Sequence, residues 1–129
     1  MYVCMYVCMY RLLEVSACAN VSDYSLVRIA QRCKGLVTLT CCFCRGLTDA
    51  TLTALSQCNS SHLKELNVGY NHAITLRGML TLLMVCRGME KVFCIECANL
   101  TEADIEQLRD RFPYLQLNPD LNLTADGKT

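Results

Sequence analysis

Apolar residues recur along this chain with a period of about 26 residues, and each period contains two patterns. An apolar position is followed by others three and five residues later, and a second apolar pair with a spacing of three residues comes further on. The first pattern predicts a short strand and the second an amphipathic helix. The periods begin at Tyr10, Leu36, Leu63 and Met89, so the chain is predicted to fold as about four stacked strand–turn–helix units.

Cap and turn residues place the ends of these elements. The predicted helices are 23–31, 49–57, 76–85 and 102–111, and the predicted strands lie near 13–15, 38–41, 65–68 and 91–94, with 114–117 opening a fifth strand. A hydroxyl group precedes each helix, where it can accept a bond from a free backbone N–H; these residues are Ser22, Thr48, Thr75 and Thr101. Gly35 and Gly88 are expected in left-handed turns that end their units, and Gly78 is expected to weaken the third helix slightly.

The unit follows the consensus L-x-x-L-x-L-x-x-(N/C)-x-L, and residues 36–49 are its clearest instance. This spacing resembles the leucine-rich repeat, and the cysteines make it similar to the cysteine-containing subclass. The resemblance covers residues 10–117 and implies an α/β solenoid of about four repeats, with a parallel sheet on the concave side and helices outside. Residues 1–9 are then a low-complexity leader, and 118–129 an irregular tail. The departures from the subclass are Asn71 in place of cysteine, Leu76 in place of aspartate, and Cys58 one position early.

Proteins of this subclass are commonly F-box receptors of ubiquitin ligases. Their repeats hold the substrate, while a separate F-box segment holds the Skp adaptor. The resemblance therefore implies a non-catalytic module for protein binding, similar to the substrate-recognition repeats of these receptors. The stretch ahead of Tyr10 has no room for an F-box, so a second expectation stays open: a structural repeat subunit embedded in a larger multiprotein assembly.

The charge balance limits the classes of molecule that are expected as partners. Lysine plus arginine and aspartate plus glutamate number 12 each, so the formal net charge is zero. A nucleic-acid binder needs a basic surface that neutralises phosphates, and an anionic membrane attracts basic segments in the same way. No stretch reaches transmembrane length. The expected partner is therefore a protein, not a nucleic acid or a membrane.

Most of the eleven cysteines occupy fixed positions of the repeat. Cys41 and Cys94 stand at the third apolar position, and Cys18, Cys44 and Cys97 stand at the ninth position of the consensus. Cys33 and Cys86 each stand four residues after the apolar pair of a helix. A buried thiol behaves as a small apolar side chain. This placement predicts reduced thiols and a reducing compartment, either the cytoplasm or the nucleus.

Residues that could carry chemistry are few. Two C-x-x-C pairs, 41–44 and 94–97, fall two units apart, or about 10 Å for normal strand spacing, which is too far for one tetrahedral metal. The only two histidines, His62 and His72, are expected in exposed turns. The sequence thus predicts neither a metal or other cofactor nor an enzyme.

The first ten residues repeat the tetrapeptide Met-Tyr-Val-Cys, which is what the tetranucleotide ATGT encodes when it is read in frame. One interpretation is an apolar, low-complexity leader. The alternative is a strand that pairs with the exposed edge of the first unit and caps it.

The candidate partner-binding residues alternate with the inward positions of the strands or follow them on the rim. They are Thr38, Thr40, Cys42, Phe43, Glu65, Asn67, Tyr70, Lys91, Phe93 and Ile95. Phe93 and Ile95 are unusual for a solvated strand face, and exposed aromatic residues often anchor protein interfaces. The alternative is that the irregular C-terminal segment folds over these two side chains.

Overall fold

The computed structural model describes residues 11–18, 21–44 and 46–119, within which strands and helices alternate. The elements are β1 (Leu12–Glu14), α1 (Asp23–Arg32), β2 (Thr38–Thr40), α2 (Asp49–Cys58), β3 (Glu65–Asn67), α3 (Leu76–Val85), β4 (Lys91–Phe93), α4 (Glu102–Arg111) and β5 (Gln116–Leu117). The helices match their predicted bounds to within one residue. The leader, its suggested capping strand and tail residues 120–129 lie outside the described residues.

The five strands form one parallel sheet in the order β1-β2-β3-β4-β5. Equivalent positions of successive units stand side by side, since Leu39 pairs with Leu13 on one side and with Leu66 on the other. The same row continues through Val92 to Leu117. The sequence period is therefore the stacking period of the sheet. The mixed α/β class and the parallel sheet are confirmed.

The core lies between the sheet and the helices. The inward strand positions are almost fully buried, with Leu39 and Leu66 each 1% exposed. The helices contribute their apolar pairs to the same cluster, for example Leu52 with Leu55. Because each inward side chain packs against its equivalents in the neighbouring units, the repeats share one continuous core.

Asn71 connects the turns of two neighbouring units. Its Oδ1 accepts a hydrogen bond from the backbone N–H of Cys44 at 2.8 Å, and its Nδ2 donates to the carbonyl of Cys41 at 2.8 Å. At the same position of the next unit, the thiol of Cys97 donates to the carbonyl of Val68 at 3.2 Å. Cysteine therefore replaces the donor half of the asparagine bridge, which explains why both residue types occupy this position.

A second bridge joins the N-termini of the helices. The carboxylate of Asp49, in the first turn of α2, accepts bonds from both the backbone N–H and the hydroxyl of Thr75, which precedes α3. Asp23 makes the equivalent pair of bonds to Thr48. Among the described residues, the third unit makes no such bridge to the fourth. Leu76 stands there in place of the aspartate, and its side chain has no hydrogen-bond acceptor.

The caps of the first and last helices differ from the bridged ones. Thr101 is capped within its own unit: its N–H donates to Asp104 Oδ2 at 3.0 Å, and its hydroxyl accepts from the N–H of Asp104 at 3.1 Å. This is a capping box. Ser22 occupies the predicted cap position, but its hydroxyl makes no cap bond to α1. The prediction of four hydroxyl caps is therefore wrong at Ser22.

The left-handed turns lie elsewhere than predicted. Neither Gly35 nor Gly88 has a left-handed backbone. Left-handed residues instead follow the strands, with φ between 56° and 60°, at Ala17, Phe43, Tyr70 and Glu96. The chain reverses sharply at the start of each strand-to-helix turn, and that geometry requires a positive φ whatever residue stands there.

Asn59 holds the position that Cys33 and Cys86 hold in other units, and not Cys58. Its side chain is fully buried and donates from Nδ2 to the carbonyl of Cys33 at 2.7 Å. This bond joins the C-terminal end of α2 to that of α1.

The described sheet ends with a change of pattern at Asn118. Its backbone N–H donates to the carbonyl of Val92 at 2.8 Å, but its side chain, not its carbonyl, accepts from the N–H of Cys94 at 2.7 Å. Asn118 is also left-handed, with a φ of 47°. The regular ladder therefore stops here. No helix in the described part of the chain combines the length and apolar character needed to cross a membrane.

Candidate functional site

The outward face of the sheet is smooth. Its residues on β2, β3 and β4 are all half-buried, and they are Thr38, Thr40, Glu65, Asn67, Lys91 and Phe93. The depression between the strands holds only about 60 Å³. This face can therefore contact a broad partner surface, but it offers no deep site.

Phe93 and Ile95 lie on this face as predicted, and both are half-buried. The described part of the C-terminal segment pairs beside β4: Gln116 donates to the carbonyl of Glu90 at 2.9 Å, and Asn118, just after β5, donates to the carbonyl of Val92 at 2.8 Å. Through residue 119, the segment thus extends the sheet instead of crossing over the two apolar side chains.

Cys42, which follows β2, is hydrogen-bonded to Asn67 at the end of β3. The Cys42 thiol donates to Asn67 Oδ1 at 2.8 Å, and the same oxygen accepts the N–H of Gly69 at 3.1 Å. The backbone N–H of Cys42 donates to Ser16 Oγ at 3.2 Å. Burial raises the pKa of the Cys42 thiol. Cys42 thus holds neighbouring units in register and is less available for outward contacts than the sequence predicts.

Phe43 and Tyr70 form an exposed aromatic stack. Their ring centroids are 4.2 Å apart and the planes are inclined by 11°. The side chains are 53% and 42% exposed, respectively. They occupy equivalent positions of two units, so stacking of the repeats brings them together.

Phe43 and Tyr70 both have a strained backbone at this position. Phe43 has a φ of 58° and Tyr70 a φ of 60°. A bulky residue in the left-handed region costs of order 1–3 kcal/mol, whereas glycine is free of that cost. Strained residues of this kind cluster at functional sites. Ala17 and Glu96 share this backbone at the equivalent positions, so the exposed, stacked rings are what distinguish Phe43 and Tyr70.

A recess opens beside the stack, between the ends of the strands and the starts of the helices. Its volume is about 770 Å³, and its lining is mainly apolar. The lining residues are Ala17, Phe43, Cys44, Tyr70, Asn71, His72 and Ala73. An anchor side chain of a partner can enter this recess and contact the aromatic rings at the same time.

The groups that could carry chemistry are separated or buried. Within the described residues, no three His, Cys, Asp or Glu side chains are placed to hold a metal ion. None of the nine described cysteines forms a disulfide. Burial raises the pKa of Cys94 to about 12 and that of Cys86 to about 11, so both thiols are protonated and weakly nucleophilic at neutral pH. His62 and His72 are both exposed and lie in different turns.

The sequence did not reveal the importance of the aromatic stack. Phe43 and Tyr70 were assigned to the rim, but their mutual contact was not predicted. One signal was present: each residue directly precedes the ninth position of the consensus, held by Cys44 and Asn71. Equivalent positions of adjacent units must be neighbours once the sheet is parallel.

No protein-family model matches this chain. Its fold is similar to that of two solved structures. Leiomodin-1 Actin-Binding Site 2 (ABS2) has a TM-score of 0.67 and 15% identity, covering 94% of this chain and 78% of that chain. The Chaetomium Mex67:Mtr2 subunits give a TM-score of 0.61 and 14% identity, covering 83% and 78%. At these identities the similarity concerns the fold alone.

Proposed function

We propose that this chain is a leucine-rich-repeat solenoid that binds a protein partner and catalyses no reaction. The stacked pair of Phe43 and Tyr70 is the centre of the binding surface, and the outward sheet face with Lys91, Phe93 and Ile95 forms its extension. The observation that carries the proposal is the stack itself: two exposed aromatic rings in contact with each other beside a recess of about 770 Å³.

The structural neighbours support a protein as the partner. One is named as an actin-binding site and the other as subunits of a two-protein complex. The zero net charge supports the same class of partner over nucleic acid. Exposed aromatic residues at the centre of a patch are the usual anchors of such interfaces, since they bury a large area at little cost in side-chain entropy.

Two specific roles follow from this function. Substrate recognition in a ubiquitin ligase rests on the resemblance of the repeats to those of F-box receptors. A structural role in a larger assembly is the second candidate. Affinity purification of the tagged protein separates the two: a Skp adaptor and a cullin among the bound proteins support the first, and a fixed stoichiometric partner without them supports the second.

The binding surface is tested with Phe43→Gly/Tyr70→Gly. Glycine takes the left-handed backbone without strain, so this variant keeps the turns and loses only the rings. We expect capture of the partner to fall by about tenfold or more. Phe93→Ala/Ile95→Ala should reduce capture less, because both side chains are already half-buried and leave less surface for a partner to cover.

The control is Tyr24→Ala. Tyr24 is 68% exposed on α1 and does not line the recess. All variants must first show the circular dichroism and melting temperature of a folded protein. Full capture by Phe43→Gly/Tyr70→Gly, with loss in Tyr24→Ala, would place the partner on the helices and refute the assignment.

A further inference from the structure

A second groove lies at the opposite end of the helices, where α3 and α4 finish. It encloses about 500 Å³ and is lined by Leu83, Met84, Arg87, Arg111, Phe112 and Tyr114. None of these residues belongs to the recess beside the aromatic stack. The groove is therefore a separate surface of the molecule.

The groove carries an apolar residue at a helix position that is polar in the two preceding units. Met84 stands at the repeat position that Gln31 and Gln57 hold in α1 and α2, and all three side chains are exposed. Met84 is 51% exposed, the adjacent Val85 49%, and Tyr114 across the groove 56%. An exposed apolar patch framed by polar groups is typical of an interaction site.

Two arginines border this patch. The guanidinium Nη2 of Arg111 lies 3.7 Å from the sulfur of Met84. Among the described residues, the ion pairs join Lys64 to Glu90 and Arg109 to Glu106, and neither includes Arg87 or Arg111. Asp110 is exposed and next to Arg111 in sequence, but makes no ion pair with it. In the part of the chain that the structure describes, no carboxylate pairs with either guanidinium group, so both can bind one from a partner.

We propose that this groove binds a peptide segment whose apolar side chains are flanked by aspartate or glutamate. Met84 and the ring of Tyr114 receive the apolar side chains. Arg87 and Arg111 receive the carboxylates. The two guanidinium groups make an acidic segment complementary and a basic one repulsive, which gives the site its selectivity. The protein then has two independent docking surfaces.

A membrane fits this surface less well than a peptide. Lipid binding by a soluble protein relies on a protruding apolar face and several basic residues. Here the apolar side chains line a groove, and only two arginines border it. A peptide side chain, unlike a bilayer, can enter such a groove.

The test is fluorescence anisotropy with residues 1–129 and a labelled synthetic peptide in which Asp and Leu alternate. We expect saturable binding that weakens with salt. Met84→Gln, which places at position 84 the residue type that α1 and α2 carry there, should weaken binding by about tenfold or more. Gln31→Ser, on the exposed side of α1, should leave it unchanged.

Reversing the charges of the two arginines is a more selective test of the proposal. Arg87→Glu/Arg111→Glu should lose the Asp-Leu peptide and gain a Lys-Leu peptide, an exchange that a loss of folding cannot produce. The proposal is overturned if the Asp-Leu peptide fails to bind at about millimolar concentration, or if wild type binds both peptides equally. Stronger binding to phosphatidylserine vesicles than to the peptide also overturns it.

The last experiment concerns the C-terminal residues of the chain itself. Residues 120–126 read Asp-Leu-Asn-Leu-Thr-Ala-Asp and have the proposed chemistry themselves. If the peptide binds only after deletion of residues 120–129, this segment is the occupant and an external partner is excluded. Equal affinity with and without the deletion supports the external partner.

Discussion

Gly78 and Asp49 lie so close together that a side chain at position 78 would overlap the Asp49 carboxylate. A Cβ built on Gly78 comes within 2.9 Å of the Cβ of Asp49 and closer still to its carboxylate. That carboxylate is fixed by its two bonds to Thr75. The glycine in the third helix therefore permits the bridge between the second and third units.

Gly78→Ala is expected to destabilise the protein by about 1–3 kcal/mol, as overpacking of a tight site does. Helix propensity alone predicts the opposite, a gain of about 1 kcal/mol. Urea denaturation measures the sign. Gly88→Ala is the control, since nothing lies within 4 Å of its added carbon, and its change should stay within about 0.5 kcal/mol.

A double-mutant cycle identifies the cause. On an Asp49→Ala background the carboxylate is gone and only the approach of 2.9 Å to the Cβ at position 49 remains, so Gly78→Ala should cost less than in the wild type. If Gly78→Ala costs the same in both backgrounds, the overlap with Asp49 is not the reason for the glycine.

The asparagine bridge makes a second prediction. Asn71→Ala leaves the N–H of Cys44 and the carbonyl of Cys41 without the partners that Asn71 provides, and should cost about 2–4 kcal/mol. Asn71→Cys should cost less, because a thiol can donate to the carbonyl as Cys97 does. Thermal and urea melts of both variants test the order. Equal losses would mean that the thiol contributes nothing at this position.

The stacked core makes a third prediction. Leu39→Ala and Leu66→Ala each remove a large side chain that is 1% exposed, and each should cost about 2–5 kcal/mol. Gln57→Ala, on the exposed side of α2, should change stability by less than about 0.5 kcal/mol. A loss below about 1 kcal/mol at both leucines would contradict the register of the repeats.

Alkaline pH should unfold the protein through its buried thiols. Burial raises the pKa of Cys94 to about 12 and that of Cys86 to about 11, above the ordinary 9.0 of an unfolded cysteine. A raised folded-state pKa gives stability that is fully present below about pH 9 and is lost as the pH rises through the folded-state values. Melting temperatures between about pH 7 and pH 11 should therefore fall above pH 9.

Cys86→Ala/Cys94→Ala is the comparison for this pH dependence. The variant loses packing and should melt lower at neutral pH, but its melting temperature should fall less steeply above about pH 9, since two titrating groups are gone. Parallel curves for the variant and the wild type would assign the alkaline unfolding to other groups, such as Cys41, whose pKa is also raised by burial.

The sequence by itself determined the repeating architecture. Apolar residues that recur at strand spacing and then at helix spacing can be buried together only if successive units stack, so the period fixed which residues face the core. Leu39 and Leu66 were placed correctly for this reason. The helix bounds followed from the same period and from local cap chemistry, which depends on neighbouring residues alone.

Only the tertiary structure decided the features that depend on distances between units. The contact of Gly78 with Asp49, the stack of Phe43 on Tyr70 and the approach of Arg111 to Met84 each join residues about one repeat apart in sequence. Their formation depends on how closely the units pack and where each side chain points, and no local pattern encodes either quantity. The left-handed turns were misplaced at Gly35 and Gly88 for a related reason: the path from strand to helix, not the presence of glycine, sets where φ is positive.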